Sequence, residues 1–269
     1  MSLFEQSYLD ILKTLLQAPR RFDRTGVGTR SVFGYHLVVD LSEGYPLLTT
    51  KKVHFRSILY ELFWFIRGDT NIKYLHDNKV TIWDEWADEN GDLGPIYGYQ
   101  WRRWPGYKGE TYDQLKAVIE GIKSDPYSRR LIVSAWNVGQ LCEMKLPPCH
   151  VLFQLYAQPE SKELSMLVYQ RSADAFLGLP FNIASYALLL HIIAHITDYK
   201  PNKLHFFIGD LHLYQNHEEQ AKTQIAREPY PLPQIKINSK LKDIDQITPS
   251  DIVLIDYKSH PAIPAPVAV

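Results

Sequence analysis

At 269 residues, with 45% hydrophobic and 13% aromatic side chains, the chain carries enough apolar surface for a sizeable core, which excludes an intrinsically disordered protein. Lysine and arginine total 29 against 30 aspartate and glutamate, so no overall positive field recruits nucleic acid or anionic lipid. Any anion site has to be built from a local cluster, and the expected partner is a small molecule.

Cys142 and Cys149 are too few for a disulfide framework and lack CxxC spacing, which fits a reducing compartment. Near the N-terminus Glu5, Gln6, Asp10 and Lys13 interrupt the apolar residues, so no signal-peptide core forms there. No run is expected to span a membrane, and the expected location is the cytoplasm.

In chain order, Ser2 and Glu5 make a capping-box pattern, and Leu3, Phe4, Tyr8, Leu9, Ile11, Leu12, Leu15 and Leu16 recur at helical spacing until Pro19. A glycine-punctuated loop over 23–28 leads into a β-rich run at 31–40. A helix over 55–67 follows, apolar on nearly every side and closed by Gly68. Thr111 with Gln114 predicts a helix through Ile122, and Asp125-Pro126 turns the chain into a strand over 130–136. Strands at 151–157 and 164–171 read as a hairpin across Pro159-Glu160-Ser161-Lys162. Then come a long helix over 181–196, apolar all round and hence central, a strand over 203–214, and a more polar helix opened by Asn216 with Glu219. There is no internal repeat and no Gly-, Ser- or Pro-rich linker, so one α+β domain over 1–269 is the economical reading.

Cys149 stands in Leu146-Pro147-Pro148-Cys149-His150, where two prolines fix the approach to a cysteine at the mouth of a strand and His150 could offer a proton or a hydrogen bond. It reads either as a nucleophile or as a buried structural thiol. A nucleophilic cysteine needs a cationic neighbour, because a free thiol with a pKa of about 8.5 is mostly protonated at neutral pH. Arg171, at the end of the facing strand, could supply that charge. Arg24, Arg129, Arg130 and Arg171 all stand beside turns or strand ends, where converging guanidinium forks suit a phosphate dianion; surface ion pairing is the alternative.

Glu61 lies among Leu, Phe, Trp and Ile, where desolvation would raise its pKa toward neutrality, unless it occupies the one wet stripe of its helix. His191 and His195 have metal-like spacing but no accompanying carboxylate motif, and read as core histidines. Trp83, Trp86, Trp101 and Trp104 could stack a planar ring or simply fill a core.

Taken together, the segments resemble the thymidylate synthase family. The motifs in order are Asp23-Arg24-Thr25-Gly26, Glu61-Leu62-Phe63-Trp64-Phe65 with Arg67-Gly68-Asp69-Thr70-Asn71, Ile82-Trp83-Asp84-Glu85-Trp86, and Gly94-Pro95-Ile96-Tyr97-Gly98. They continue with Ser128-Arg129-Arg130, Pro148-Cys149-His150, Gln170-Arg171-Ser172-Ala173-Asp174, Gly178-Leu179-Pro180-Phe181-Asn182, Gly209-Asp210-Leu211-His212-Leu213-Tyr214 and the final Ala265-Pro266-Val267-Ala268-Val269. The resemblance spans nearly the whole chain.

It implies a single domain with a mixed, mostly antiparallel sheet flanked by helices around a long buried central helix, working as an obligate homodimer. It implies the conversion of dUMP and 5,10-methylenetetrahydrofolate into dTMP and dihydrofolate, with no metal. By the same resemblance Cys149 adds to C6 of uracil, Asn182 reads the O4 and N3 edge, and Glu61, Tyr97, Asp174 and His150 complete the catalytic set. Arg24, Arg171 and Ser172 would hold the phosphate with Arg129 and Arg130 from the other subunit, while His212 and Tyr214 bind the sugar. The folate would meet His54, Ile82, Trp83, Trp86, Asp174, Gly178, Phe181, Ala268 and Val269, the last folding over the ligands as a lid.

Ala173 stands where many members have cysteine, Lys52 where arginine is common and Pro264 where lysine is common. Within the same fold the alternative is a deoxycytidylate hydroxymethylase, which has an aspartate where this chain has Asn182. From other classes, a nucleotide- or RNA-binding regulator would use Arg129 and Arg130 as a secondary contact patch, and a cysteine hydrolase would need a partner orienting His150.

Overall fold

The computed structural model describes residues 2–22 and 25–267. Helix α1 (Leu3–Gln17) starts at Ser2, whose Oγ accepts from the Glu5 backbone N–H at 3.2 Å, and it buries Phe4, Tyr8, Leu12 and Leu15. The second half of the expected capping box does not form. Glu5 is wholly buried, and its carboxylate instead accepts from Thr49 N, Thr49 Oγ1 and Thr50 N at 2.8, 2.8 and 2.6 Å, which satisfies a charge that would otherwise be costly to bury.

Beyond the short β1 (Arg20–Arg21), strand β2 (Thr29–Asp40) runs into the segment that Glu5 holds, and α2 (Phe55–Ile66) and α3 (Lys73–Asp77) follow. Next are α4 (Tyr97–Arg103), the paired β3 (Trp104–Pro105) and β4 (Thr111–Tyr112), then α5 (Gln114–Ser124) and β5 (Ile132–Ser134). The hairpin strands β6 (His150–Gln158) and β7 (Glu163–Asp174) precede α6 (Gly178–Thr197), β8 (Lys200–Tyr214) and α7 (Glu218–Ile225). An antiparallel pair, β9 (Gln234–Ile237) and β10 (Ile252–Ile255), completes the elements.

The main sheet is six-stranded in the order β1-β2-β8-β7-β6-β5. Its neighbours are antiparallel except β7 and β8, which run parallel because α6 crosses over between them. In that parallel ladder Ser172 is opposite Asp210 and Asp174 opposite His212. Helix α6 packs on both strands and is buried along almost its whole length; it stops where Asp198 takes a left-handed conformation at φ 60°. Strands β2, β5, β6, β7 and β8 each leave a large apolar side chain exposed: Phe33, Ile132, Tyr156, Tyr169 and Phe207.

Several expectations are corrected. Helix α5 is capped by Asp113, whose Oδ1 accepts from Lys116 N, and Thr111 belongs to β4 instead. A 3-10 turn at Gln215–His217 precedes α7, so Asn216 does not open that helix. The strand expected over 130–136 contracts to β5, since Arg129 and Arg130 stay in the exposed approach to it. One run does reach membrane-spanning length and apolarity, the 20-residue α6, but the protein's own core covers it. Helix α4 was not expected: Gly98 and the polar Gln100 break its apolar pattern, and it is fixed by packing on α2, where Gly98 approaches Phe65 so closely that a Cβ there would lie 2.6 Å from the Phe65 carbonyl oxygen.

Candidate active site

A cleft of about 740 Å³ opens where Cys149, just before β6, meets the C-terminal ends of β7 and β8. Most of the residues singled out in the sequence line it: Cys149 and His150, Arg171, Ser172 and Asp174 on β7, His212 and Tyr214 on β8, Glu61 on α2, Tyr97 on α4, and Gly178, Phe181 and Asn182 on α6. The loop after α3 adds Ile82, Trp83 and Trp86, which with Leu177 and Phe181 make an apolar wall.

The cysteine is held by its backbone. Its N–H donates to Tyr97 Oη at 2.8 Å, and its carbonyl accepts from Arg171 N at 2.8 Å. The Arg171 guanidinium donates Nε to the Pro148 carbonyl at 2.8 Å and Nη2 to the Pro147 carbonyl at 2.9 Å, which gives the two prolines their purpose: they present carbonyls to an arginine beside a partly exposed thiol.

His150, expected to offer a proton or a hydrogen bond, lines the cleft and makes the hydrogen bond. It is buried, stacked on Tyr97 with ring centroids 4.1 Å apart, and its Nδ1 shares a 2.7 Å hydrogen bond with Tyr186 Oη. Burial pushes its pKa down to about 3, so the ring is neutral at physiological pH and buttresses Tyr97.

Glu61 is 8% exposed, and burial lifts its pKa to about 7, opposed by the Trp83 indole N–H that donates to its Oε1 at 2.8 Å. The alternative of a wet helix stripe is thereby excluded. A carboxyl poised near neutrality can take or give a proton at cellular pH. The Tyr97 phenol is driven the other way from use as an acid, its pKa raised by burial first and then by the nearby Cys149.

Asn182 Oδ1 accepts from Gln170 Nε2 at 2.9 Å, and Gln170, 1% exposed, also donates to the Ser172 carbonyl. Asp174 Oδ1 caps the turn into α6 by accepting from Phe176 N and Leu177 N at 2.9 and 3.3 Å. His212 Nδ1 lies 3.2 Å from Asp210 Oδ1, which also accepts from Ser31 Oγ at 2.7 Å. These bonds, that to His212 foremost, hold the Asp210 carboxyl below its usual range.

Gln170, Asp210 and the cleft-lining Arg21 carry no assigned role in the sequence reading, although Gln170 and Asp210 stand inside its motifs. Lys51 was missed entirely. It is 6% exposed, donates to the Phe176 carbonyl, sits 3.5 Å from the Phe176 ring centroid, and burial lowers its pKa to about 7. A lysine directly after the Thr49-Thr50 pair was the available signal.

Other expected residues lie elsewhere. His54 is exposed at the start of α2, with Nδ1 2.8 Å from Ser57 Oγ, and does not line the cleft. Arg129 and Arg130 are exposed, Arg129 lining a separate depression with Tyr127, Tyr156 and Glu160. Trp101 is in the core against Phe65 and Phe153, and Trp104 belongs to β3, so only Trp83 and Trp86 of the four tryptophans reach the cleft. His191 and His195 are half-buried on α6, and among the described residues no cluster of three His, Cys, Asp or Glu could hold a metal ion. Arg24, Ala268 and Val269 lie outside the described residues.

Fold and cleft thus define an α+β protein with a cysteine-centred site, walled by aromatic rings on one side and by hydrogen-bonding strand ends on the other. The chain belongs to the thymidylate synthase family, whose sequence profile matches residues 6–269. Membership implies a methyltransferase of nucleotide biosynthesis that uses methylenetetrahydrofolate.

Proposed function

We propose that this protein is itself a thymidylate synthase, converting dUMP and 5,10-methylenetetrahydrofolate into dTMP and dihydrofolate. One observation carries the reading: the cysteine, the asparagine amide and the near-neutral buried glutamate open into a single cleft whose far wall is aromatic. Each matches one demand of the reaction. Cys149 adds its sulfur to C6 of the uracil, which turns C5 into a carbon nucleophile able to attack the folate methylene carbon. Asn182 binds the O4 and N3 edge and stabilises charge developing at O4. Its Oδ1 already accepts from Gln170, so the amide is pinned before any base arrives.

Glu61 relays protons to and from O4 and the folate through water, a role for which a pKa of about 7 is suited. Tyr97 helps remove the C5 proton, also through water. With that proton gone, the bond between the methylene carbon and the folate nitrogen would break, leaving an exocyclic methylene on C5; hydride from the tetrahydrofolate so released would reduce it to the methyl group, and expulsion of the Cys149 sulfur would release dTMP. The residues present fit a folate: Trp83, Trp86, Leu177 and Phe181 offer apolar surface to a planar ring, and the Asp174 carboxylate offers an acceptor to its N–H groups.

The nucleotide phosphate meets Arg171 and Ser172, with His212 and Tyr214 on the sugar. Arg129 and Arg130 do not line the cleft of their own chain, and the exposed Phe33, Tyr156 and Phe207 give the sheet apolar surface fit for a second copy. Both features support a homodimer in which each chain lends these arginines to its partner's phosphate site. Asn182, where a hydroxymethylase would have aspartate, favours uracil over cytosine.

The test is the absorbance change on mixing protein with dUMP and methylenetetrahydrofolate, with dCMP in parallel and Cys149→Ala as the blank. Dihydrofolate forms with dUMP only, and Cys149→Ala loses turnover by roughly four orders of magnitude while still binding dUMP. Turnover of dCMP in place of dUMP would establish the hydroxymethylase instead.

A further inference from the structure

His217 has no exposed surface, and it lies at the junction of β8 and α7, where the sequence motifs assign nothing. Its Nε2 is 2.7 Å from the carbonyl oxygen of Pro266. A carbonyl only accepts, so Nε2 carries the hydrogen, and in the neutral ring Nδ1 is then a bare lone pair. That atom is buried and has no hydrogen-bond partner. It faces Asp174 Oδ1 at 3.9 Å. The ring is held between Phe176 and Tyr214, with centroids 5.5 and 5.7 Å away. A residue needed only to fill space there would be apolar, since an unsatisfied buried nitrogen costs stability.

The two ends of this imidazole meet two parts of the cleft that are far apart in sequence. Val267, next to Pro266, lines the cleft mouth. Asp174 lines it from the opposite side of the chain order, its Oδ1 committed to the Phe176 and Leu177 amides, which leaves Oδ2 for a ligand. Lys51 braces the same turn from its other flank by donating to the Phe176 carbonyl.

We propose that His217 is a positioning residue for the folate half of the reaction: it fastens the C-terminal tail at Pro266 and backs the turn that aims Asp174, so one side chain sets both. The inference rests on the reading that Asp174 and the tail meet the folate. It assigns His217 no contact with either substrate.

The test compares wild type with His217→Phe, which keeps a ring between Phe176 and Tyr214 but removes the donor, and with His217→Gln, whose Nε2–H can still reach the Pro266 carbonyl. The measurements are dUMP affinity by calorimetry, KM for methylenetetrahydrofolate with kcat, and the rate at which carboxypeptidase Y releases valine and alanine from the C-terminus without ligands. His217→Phe binds dUMP within about twofold of wild type, raises the folate KM about tenfold and speeds carboxypeptidase release about fivefold; His217→Gln recovers most of both losses. A wild-type folate KM and release rate in His217→Phe overturn the proposal, as does a His217→Gln no better than His217→Phe. Should His217→Phe fail to fold, His217→Gln decides: near-wild-type values on both readouts uphold the donor role, and loss on both overturns it. Faster release in His217→Phe, with wild-type enzyme inert toward dUMP, upholds the tail anchor and overturns the substrate reading alone.

Discussion

The indole of Trp83 donates its N–H to Glu61 at 2.8 Å, so a ring on the cleft wall is also the hydrogen-bond partner of the one carboxyl in the cleft held near neutrality. The bond favours the ionised form while burial opposes it, and burial wins.

A folded pKa raised from 4.5 to about 7 means that the native state holds a proton which the unfolded chain has released. The stability it contributes is fully present below pH 4.5 and is lost as pH rises through about 7, ~3 kcal/mol at roughly 1.4 kcal/mol per unit. Glu61→Gln removes this slope. Urea titrations at pH 5 and pH 8 will show a smaller fall in unfolding free energy for the variant than for wild type, while its kcat drops by roughly 100-fold or more.

Tyr97→Phe deletes the phenol that accepts from the Cys149 backbone and leaves the stacking on His150 intact. The stranded amide costs ~1–3 kcal/mol of stability by denaturant titration. The kcat falls at least about tenfold, with dUMP affinity nearly unchanged, since the change bears on the nucleophile and not on base or phosphate contacts.

Asn182→Asp shifts preference from dUMP toward dCMP, because the edge offered to the base changes from amide to carboxyl. Gln170→Leu leaves the asparagine present but frees its Oδ1. Competition assays with both nucleotides will show a dUMP KM about tenfold higher for Gln170→Leu without a gain for dCMP.

Subunit mixing tests the borrowed arginines. Arg130→Glu and Cys149→Ala are each nearly inactive alone. After unfolding, mixing in equal amounts and refolding, half the dimers are mixed and each has one intact site, so activity returns to about a quarter of wild type. No recovery would mean that Arg130 serves its own chain's cleft or none.

The long apolar patterns were legible because burial on all sides leaves a continuous signal: 55–67 and 181–196 predicted α2 and α6 within a few residues. Glu61 was readable for the same reason, as a charge set among apolar neighbours. What the sequence hid was pairing between distant segments. The parallel contact of β7 with β8, the capture of Glu5 by Thr49 and Thr50, and the reach of Lys51 to Phe176 leave no periodic trace. Adjacency to Cys149 placed His150 at the cleft but could not reveal its partners, because the packing of its ring against Tyr97 and Tyr186 joins segments far apart in the chain. His54 was named from the resemblance alone, with no pattern of its own in the sequence.

The pairing of Ser172 with Asp210 and of Asp174 with His212 makes the ladder between β7 and β8 a ruler as well as a brace. A slip of one residue would send the side chains of one strand to the opposite face and scatter the ligand groups, although nearly as many backbone bonds would remain. Nothing half-functional lies between the two registers. During refolding, catalysis should therefore return in a single late step, well after circular dichroism has recovered, and its yield would count correctly threaded molecules more strictly than any spectroscopic signal.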